Sequence, residues 1–254
     1  IGEDPASEVY VNNKIKFFHK MSCSGNIIRL KDDISENELM NQIKSFNEKK
    51  SCHGILVQLP LPKHINEDKI IDYISPLKDV DGFHPENLGY LFRGTPRFIP
   101  CTPLGIIKII EFYKIPVNNS HVVIVGRSNI VGKPLVALMG QKFDIGNATV
   151  TMCHTGTKDL SYHTKQADVL FVAIGIPKFL NKDMIKEGVD IIDIGINRIR
   201  SKKTSSGYKI VGDVDADSVD GKANSLTPVP GGVGPMTITM LLHNTIIATK
   251  INSI

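Results

Sequence analysis

Short, nearly continuous apolar runs alternate along the chain with segments whose apolar positions recur at helical spacing. The runs are HGILVQLPLP (His53 to Pro62), HVVIVG (His121 to Gly126), ATVTMC (Ala148 to Cys153), DVLFVAIG (Asp168 to Gly175) and VDIIDIG (Val189 to Gly195). A further strand candidate, YKIVGDV, precedes a loop. Their apolar residues are consecutive rather than alternating, which predicts strands buried on both faces and hence a parallel sheet covered by helices. ENELMNQIKSFN carries Leu39, Ile43 and Phe46 at helical spacing. On a helix from Pro5 to about Met21, Tyr10, Lys14, Phe17 and Met21 fall along one stripe, and Val11, Ile15 and Phe18 along the next. Further helices are predicted from about Thr102 to Tyr113 and over the long apolar segment GPMTITMLLHNTIIATK.

The fold class predicted is therefore α/β, with a Rossmann-like doubly wound parallel sheet in the C-terminal part. The prolines in FIPCTPLGIIKIIEFYKI mark a boundary. They divide the chain into residues 1–103 plus 234–254, with the last helix returning to the first domain, and a second domain at 104–233. No internal repeat is evident, and KKTSSG (Lys202 to Gly207) reads as a surface loop.

The 254 residues are 41% hydrophobic and 22% charged, ordinary for a globular protein able to bury a large core. The net charge of +4 is spread along the chain, which favours an anionic small ligand over a nucleic acid. The four cysteines, Cys23, Cys52, Cys101 and Cys153, lack zinc or C-x-x-C spacing and read as reduced thiols; no metal site is expected. No apolar stretch reaches the roughly 20 residues of a membrane span. The opening IGEDP reads as the end of a strand entering a turn, so the true N-terminus, with any targeting segment, is expected upstream.

HVVIVGRSNIVGKP is a strand, a glycine turn and a helix start, the setting in which a helix N-terminus holds a pyrophosphate. It departs from G-x-G-x-x-G: after Gly126, Ser128 and Val131 occupy the next glycine positions, and Gly132 follows. An acid at the end of the second strand would bind the ribose of NAD. That end reads MCHTGTK, with His154, Thr155, Thr157 and Lys158, and Arg127 lies within reach in the glycine turn. Cations and hydroxyls there favour NADP; the plainer alternative is a solvated loop.

Lys14 sits beside an apolar face, one turn after Tyr10. A lysine so placed is ordinarily a solvated side chain; the alternative is a desolvated amine with a lowered pKa, ready to move protons. Spacing does not decide between them. Ser7 reads as the helix N-cap or a substrate contact, and Asp213 and Asp215 in GDVD read as structural.

DPASEVYVNNKIK, GILVQLPLP, PLKDVDGFHPENLG, CTPLGI, VGRSNIVGKP, VTMCHTGT and TPVPGGVGPMT, in that order, resemble the signature segments of the bifunctional methylenetetrahydrofolate dehydrogenase/cyclohydrolase (FolD) family. The resemblance spans nearly the whole chain. It implies two α/β domains with a cleft between them, NADP-dependent oxidation of 5,10-methylenetetrahydrofolate, and hydrolysis of the methenyl product to 10-formyltetrahydrofolate. By the same resemblance Lys14 is the proton-transfer residue, Tyr10 packs on the folate and Gln58 bonds Lys14. Asp81 then binds the pterin, whose adjacent amino and ring N–H groups one carboxylate can accept. Leu59, Pro60, Pro228, Gly231 and Gly232 are implied at the substrate. Gly126, Arg127, Ser128, Val131, His154 and Thr155, with Ala173, Gly175 and Ile196, are implied at NADP.

The family carries Ser where this chain has Thr155, and a helix and strand ahead of GEDPAS. The resemblance further implies a cytoplasmic homodimer acting on tetrahydrofolate derivatives, with an organelle left open by the missing beginning. No synthetase domain follows the last helix, so a trifunctional enzyme is not expected. The alternatives are a dehydrogenase without cyclohydrolase activity and a catalytically silent nucleotide-binding protein of the same fold.

Overall fold

The computed structural model describes residues 1–2, 5–202, 204 and 207–252. The turn expected at IGEDP and the loop expected at 202–207 lie partly outside these described residues. The helices are α1 (Pro5–Lys20), α2 (Glu36–Glu48), α3 (Glu67–Tyr73), α4 (Pro85–Arg93), α5 (Cys101–Tyr113), α6 (Gly132–Gly140), α7 (Leu160–Thr164), α8 (Ala216–Val219) and α9 (Val233–Asn252). The strands are β1 (His121–Val125), β2 (Thr149–Cys153), β3 (Val169–Val172), β4 (Asp190–Asp193), β5 (Asn197–Arg200), β6 (Tyr208–Val211) and β7 (Ser225–Leu226). They form two compact units, Ile1–Cys101 with Ile238–Ile254, and Thr102–Thr237.

In the first unit, α2 opens on a capping box. The Ser35 hydroxyl accepts the Glu38 N–H at 3.3 Å, and the Glu38 carboxylate accepts the Ser35 N–H at 3.0 Å. Leu39 and Ile43 on its buried face pack with Ile55, Leu61, Ile65, Ile70 and Ile74. The far end of α2 is closed by Lys78, which is 7% exposed. Its ammonium donates to the carbonyls of Phe46, Asn47 and Lys49 at 2.7–2.9 Å, where a helix leaves acceptors unmatched.

The expected strand at HGILVQLPLP is an extended segment with one parallel bridge, Ile55 to Asp79. The Ile55 N–H reaches the Lys78 carbonyl at 2.7 Å, and Pro60 and Pro62 beyond it have no N–H to donate. Within this unit α9 is anchored by Asn244, 1% exposed, whose amide donates to the carbonyls of Val80 and Ile99 at 2.9 Å each.

The second unit holds a five-stranded parallel sheet in the order β2-β1-β3-β4-β7. Every residue of β3 and β4 is buried, as a sheet covered on both faces requires. The fifth strand is the short Ser225–Leu226, too brief to show in an apolar pattern. The YKIVGDV run instead pairs antiparallel with β5 in a separate two-stranded ribbon. Its burial explains the difference: Tyr208 and Lys209 are exposed, so this strand lies outside the core that a parallel strand would enter.

Asn244→Ala removes a buried amide from two carbonyls. Unfolding by urea should show a loss of about 1–3 kcal/mol; an unchanged midpoint and slope would remove Asn244 as the anchor of α9.

Candidate active site and cofactor site

Two aspartates two residues apart do different work in the KDVDGF segment. Asp79 is 2% exposed and turns the chain. One of its carboxylate oxygens accepts the N–H groups of Gly82 and Phe83 at 3.1 and 3.2 Å. The other accepts the His84 N–H and the buried Asn87 amide, both at 2.8 Å. Gly82 adopts φ +77°, and a side chain there would strike the backbone of Ile99 and Pro100. With the turn made by its neighbour, Asp81 is left without a loop-forming task.

Asp81 is half-buried. Burial pushes its carboxyl above the ordinary value, and the charge of Asp79 adds to the rise. The nearby charge of Lys14 and a hydrogen bond from Cys101 oppose it. The buried Cys101 thiol is pushed well up by burial and then by Asp81, so it stays protonated and can donate. All four cysteines are free.

Lys14 is half-buried on α1, and its Nζ donates to Gln58 Oε1 at 3.0 Å. The Gln58 Nε2 donates to the Leu59 carbonyl at 2.8 Å, which orients the amide with its oxygen toward the lysine. Both side chains line an open recess of about 580 Å³ in this unit, with largely apolar walls that include Ile15, Phe18, Leu39 and Val80. Asp81 lines a separate, smaller recess with Leu59 and Phe83. Tyr10 is half-buried one turn before Lys14. Pro60 is exposed and follows a cis peptide bond. Ser7 is not the cap of α1: the helix begins at Pro5, whose fixed φ suits a first helical position, and Ser7 lies inside the first turn.

The second unit collects the expected cofactor residues along one edge of its sheet. Val125, Cys153, Val172 and Asp193 end four neighbouring strands in register. Gly126 follows the first, His154 and Thr155 the second, Ala173 and Gly175 the third, and Ile196 the fourth. β1 lies between β2 and β3, so the strand order reverses direction there, the point at which open α/β sheets bind ligands.

Gly126 has φ +131°, and a Cβ on it would lie 2.3 Å from the Ala173 carbonyl oxygen. The Ser128 hydroxyl accepts the N–H groups of Val131 and Gly132 at 3.2 and 3.3 Å, closing the turn at the start of α6. Arg127 is exposed and makes no ion pair among the described residues. The loop after β2 is held by its own groups: the His154 N–H donates to the Thr157 hydroxyl at 2.8 Å, and His154 Nδ1 accepts the Gly156 N–H at 3.0 Å. Asp159, the next acid in the chain, is engaged in capping α7 through the Tyr162 N–H at 3.0 Å. No Asp or Glu lies between the end of β2 and Asp159, in the stretch that carries His154, Thr155 and Lys158. A glycine turn free of Cβ, a helix start and a cationic second-strand end fit a dinucleotide carrying an extra phosphate.

The Pro228, Gly231 and Gly232 loop also belongs to the second unit. Pro228 and Gly231 are exposed, and the Gly232 N–H closes the turn on the Pro228 carbonyl at 2.9 Å. Among the described residues no group of three or more His, Cys, Asp or Glu side chains could hold a metal ion, and no helix is long and apolar enough to cross a membrane.

The residues that pattern reasoning passed over are Asp79, Asn87 and Asp193. Asp213 read as structural, but what it organises was hidden. Asp193 and Asp213 are 3% and 0% exposed. Burial first, and then Asp213, push the Asp193 carboxyl up to about 6, against backbone hydrogen bonds from Val214, Asp213 and Gly195. A glycine within two residues of each acid was the available signal: a Cβ on Gly212 would lie 1.8 Å from an Asp193 oxygen, and one on Gly195 would lie 2.2 Å from the Asp213 carboxyl carbon. Asp215 has a separate partner, Lys178, at 2.8 Å.

A parallel sheet with a glycine turn at its switch point in one unit, and a lysine–glutamine pair in the other, define the class: an NAD(P)-binding α/β enzyme with a separate catalytic unit. Comparison with known proteins narrows this. Residues 1–81 match the catalytic domain of tetrahydrofolate dehydrogenase/cyclohydrolase, and residues 100–253 match its NAD(P)-binding domain. The chain belongs to this family. It is 53% identical over 247 residues to the bifunctional protein FolD of Chloroherpeton thalassium, covering 96% of this chain and 84% of that one. The crystal structure of the Campylobacter jejuni FolD enzyme superposes with a TM-score of 0.90 at 48% identity, covering 98% of this chain and 86% of that one. The Trypanosoma brucei FolD structure, complexed with NADP cofactor and inhibitor, gives 0.93 at 32% identity, covering 99% and 85%.

The raised Asp193 has a consequence for stability. The folded state holds this proton up to about pH 6, while an unfolded carboxyl releases it near 3.8. The contribution to stability is thus complete below about pH 4 and is lost as pH rises through 6. The unfolding free energy of the wild type minus that of Asp193→Asn should fall between pH 4 and pH 7. A difference that is flat or rises over that range refutes the assignment.

Proposed function

We propose that this chain carries out both steps expected of its family, oxidising 5,10-methylenetetrahydrofolate with NADP and hydrolysing the 5,10-methenyl product to 10-formyltetrahydrofolate. The observation that carries the reading is the Lys14–Gln58 hydrogen bond of 3.0 Å on the catalytic unit, with Asp81 close enough to feel the lysine's charge. In this reading Lys14 is the proton carrier of the hydrolysis. Its amine accepts a proton from the water that adds to the methenyl carbon and returns it as the ring opens. Gln58, oriented by the Leu59 carbonyl, holds the amine in place. Tyr10 packs on the folate rings, beside Leu59 and Pro60. Asp81, relieved of turn-making by Asp79, accepts the paired N–H groups of the pterin.

The oxidation asks the protein for alignment rather than for an acid or base. NADP, when bound, supplies the nicotinamide that takes the hydride. Gly126, Ser128 and Val131 form the turn for its pyrophosphate, and Arg127, His154 and Thr155 provide the cation and hydroxyl for the 2′-phosphate. Ala173, Gly175 and Ile196 border the nicotinamide half, and the Pro228–Gly232 loop borders the substrate. The working unit is a homodimer in the cytoplasm.

Lys14→Met should lower methenyltetrahydrofolate hydrolysis, assayed without nucleotide, by about 10²–10⁴-fold. NADP affinity should not change; undiminished hydrolysis would end the role given to Lys14. Arg127→Ala should raise the KM for NADP about tenfold more than that for NAD, a difference of about 1.4 kcal/mol. Equal increases for the two nucleotides would place the 2′-phosphate elsewhere.

A further inference from the structure

Asp193 ends β4, and Asp213 lies just past the end of β6. Their carboxylates accept six hydrogen bonds and form no ion pair among the described residues. One Asp213 oxygen takes the N–H groups of Ile174 and Gly175 at 2.7 and 2.9 Å, and the other takes the Asn197 amide at 2.8 Å. Asp193 takes the N–H groups of Gly195 at 2.9 Å, Asp213 at 3.0 Å and Val214 at 2.9 Å. The backbone of Asp193 is joined to a third loop: its N–H donates to the Thr227 hydroxyl at 2.8 Å, and that hydroxyl donates back to the Asp193 carbonyl at 3.3 Å. Three segments meet on these two acids: 173–175, 194–197 and the start of the Thr227–Gly232 loop.

Such an arrangement is costly to build. Two carboxylates are buried together, and two positions must be glycine for them to fit. Core packing alone does not call for it, since apolar side chains would fill the same volume with no donors to find. What carboxylates add is direction. Backbone N–H groups aimed at one oxygen fix the path of the loop that carries them, including the turn through Gly175 at φ +69°.

We infer that Asp193 and Asp213 are positioning residues for the dehydrogenase step, setting the loops after β3 and β4 so that Ala173, Gly175 and Ile196 stand where the nicotinamide half of the cofactor is received. This rests on the cofactor reading given above. Neither acid touches the reacting atoms; each acts through the loop backbone it holds.

The test compares wild type, Asp213→Ala and Asp213→Asn. The alanine variant removes both carboxylate oxygens and with them all three hydrogen bonds. The asparagine variant keeps one oxygen toward Ile174 and Gly175 if the Asn197 amide turns over. For Asp213→Ala we expect NADP binding, titrated by calorimetry, to weaken at least tenfold, and amide exchange at Ile174 and Gly175 in the ligand-free protein to accelerate at least tenfold. Methenyltetrahydrofolate hydrolysis without nucleotide should stay within twofold of wild type. Asp213→Asn should recover most of both losses.

A core variant of the same unit, Ile185→Val, controls for stability alone and should leave NADP affinity unchanged. Wild-type NADP affinity in both Asp213 variants overturns the inference. So does an equal loss of affinity in Ile185→Val, which would reduce the pair to bulk stability. Should Asp213→Ala fail to fold, Asp213→Asn carries the test: NADP affinity is expected to fall, and exchange at Ile174 and Gly175 to accelerate, by about two- to threefold, and wild-type values for both overturn the inference. Wild-type protein that binds no NADP would instead defeat the cofactor reading, and the exchange measurement would still report on the carboxylates.

Discussion

A carboxylate taken out of water must be met by donors, and in both units of this protein the donors are chiefly backbone N–H groups. Asp79 in the first unit is met by three of them and the Asn87 amide. Asp193 and Asp213 in the second are met by five and the Asn197 amide. A lysine or arginine could satisfy such an acid from many directions. An N–H group points where the chain points, so each buried acid prescribes the course of a loop. The loops so prescribed carry Asp81 in one unit and the residues beyond β3 and β4 in the other.

The remaining site groups sit on stiffer supports. Lys14 projects from the middle of a sixteen-residue helix, and Gln58 from an extended segment whose next peptide takes the amide's other end. The nucleotide side uses a different device. Four parallel strands stop in register, and every chain continuation beyond them emerges on the same edge. Closeness at that edge is then enforced by the missing Cβ of Gly126, which lets β1's exit pass against the Ala173 carbonyl. A helix and a set of aligned strand ends thus fix Lys14 and the exits of β1 to β4, and short loops tied to buried acids refine their surroundings.

Much of this was readable before any coordinates. Consecutive apolar residues announce buried parallel strands because both faces of such a sheet are covered, and β1, β3 and β4 meet that description. The glycine turn and the helix stripe through Tyr10 and Lys14 were legible for the same local reason: their periods and residue types depend on the chain's own geometry. Less was readable where pairing partners lie far apart. HGILVQLPLP has a strand's composition but one bridge, since composition says nothing of what runs alongside. YKIVGDV joins a ribbon, and the true fifth strand is two residues long. Ser7 looked like a cap because proline can begin a helix two residues sooner.

By itself, the sequence determined the alternation of elements, the class of sheet, the glycine turn and the identity of the lysine, glutamine and aspartate available for chemistry, all consequences of short-range sterics and of which side chains shun water. Only the tertiary structure decided which acids are buried, that Asp79 turns the chain while Asp81 does not, and that Asp193 and Asp213 share one set of loops. Asp79 takes its donors from three to eight residues ahead, in a turn that no apolar pattern marks; Asp193 and Asp213 draw on donors as far as 39 residues away, and hydrogen-bond satisfaction across such separations exists only once the chain has folded.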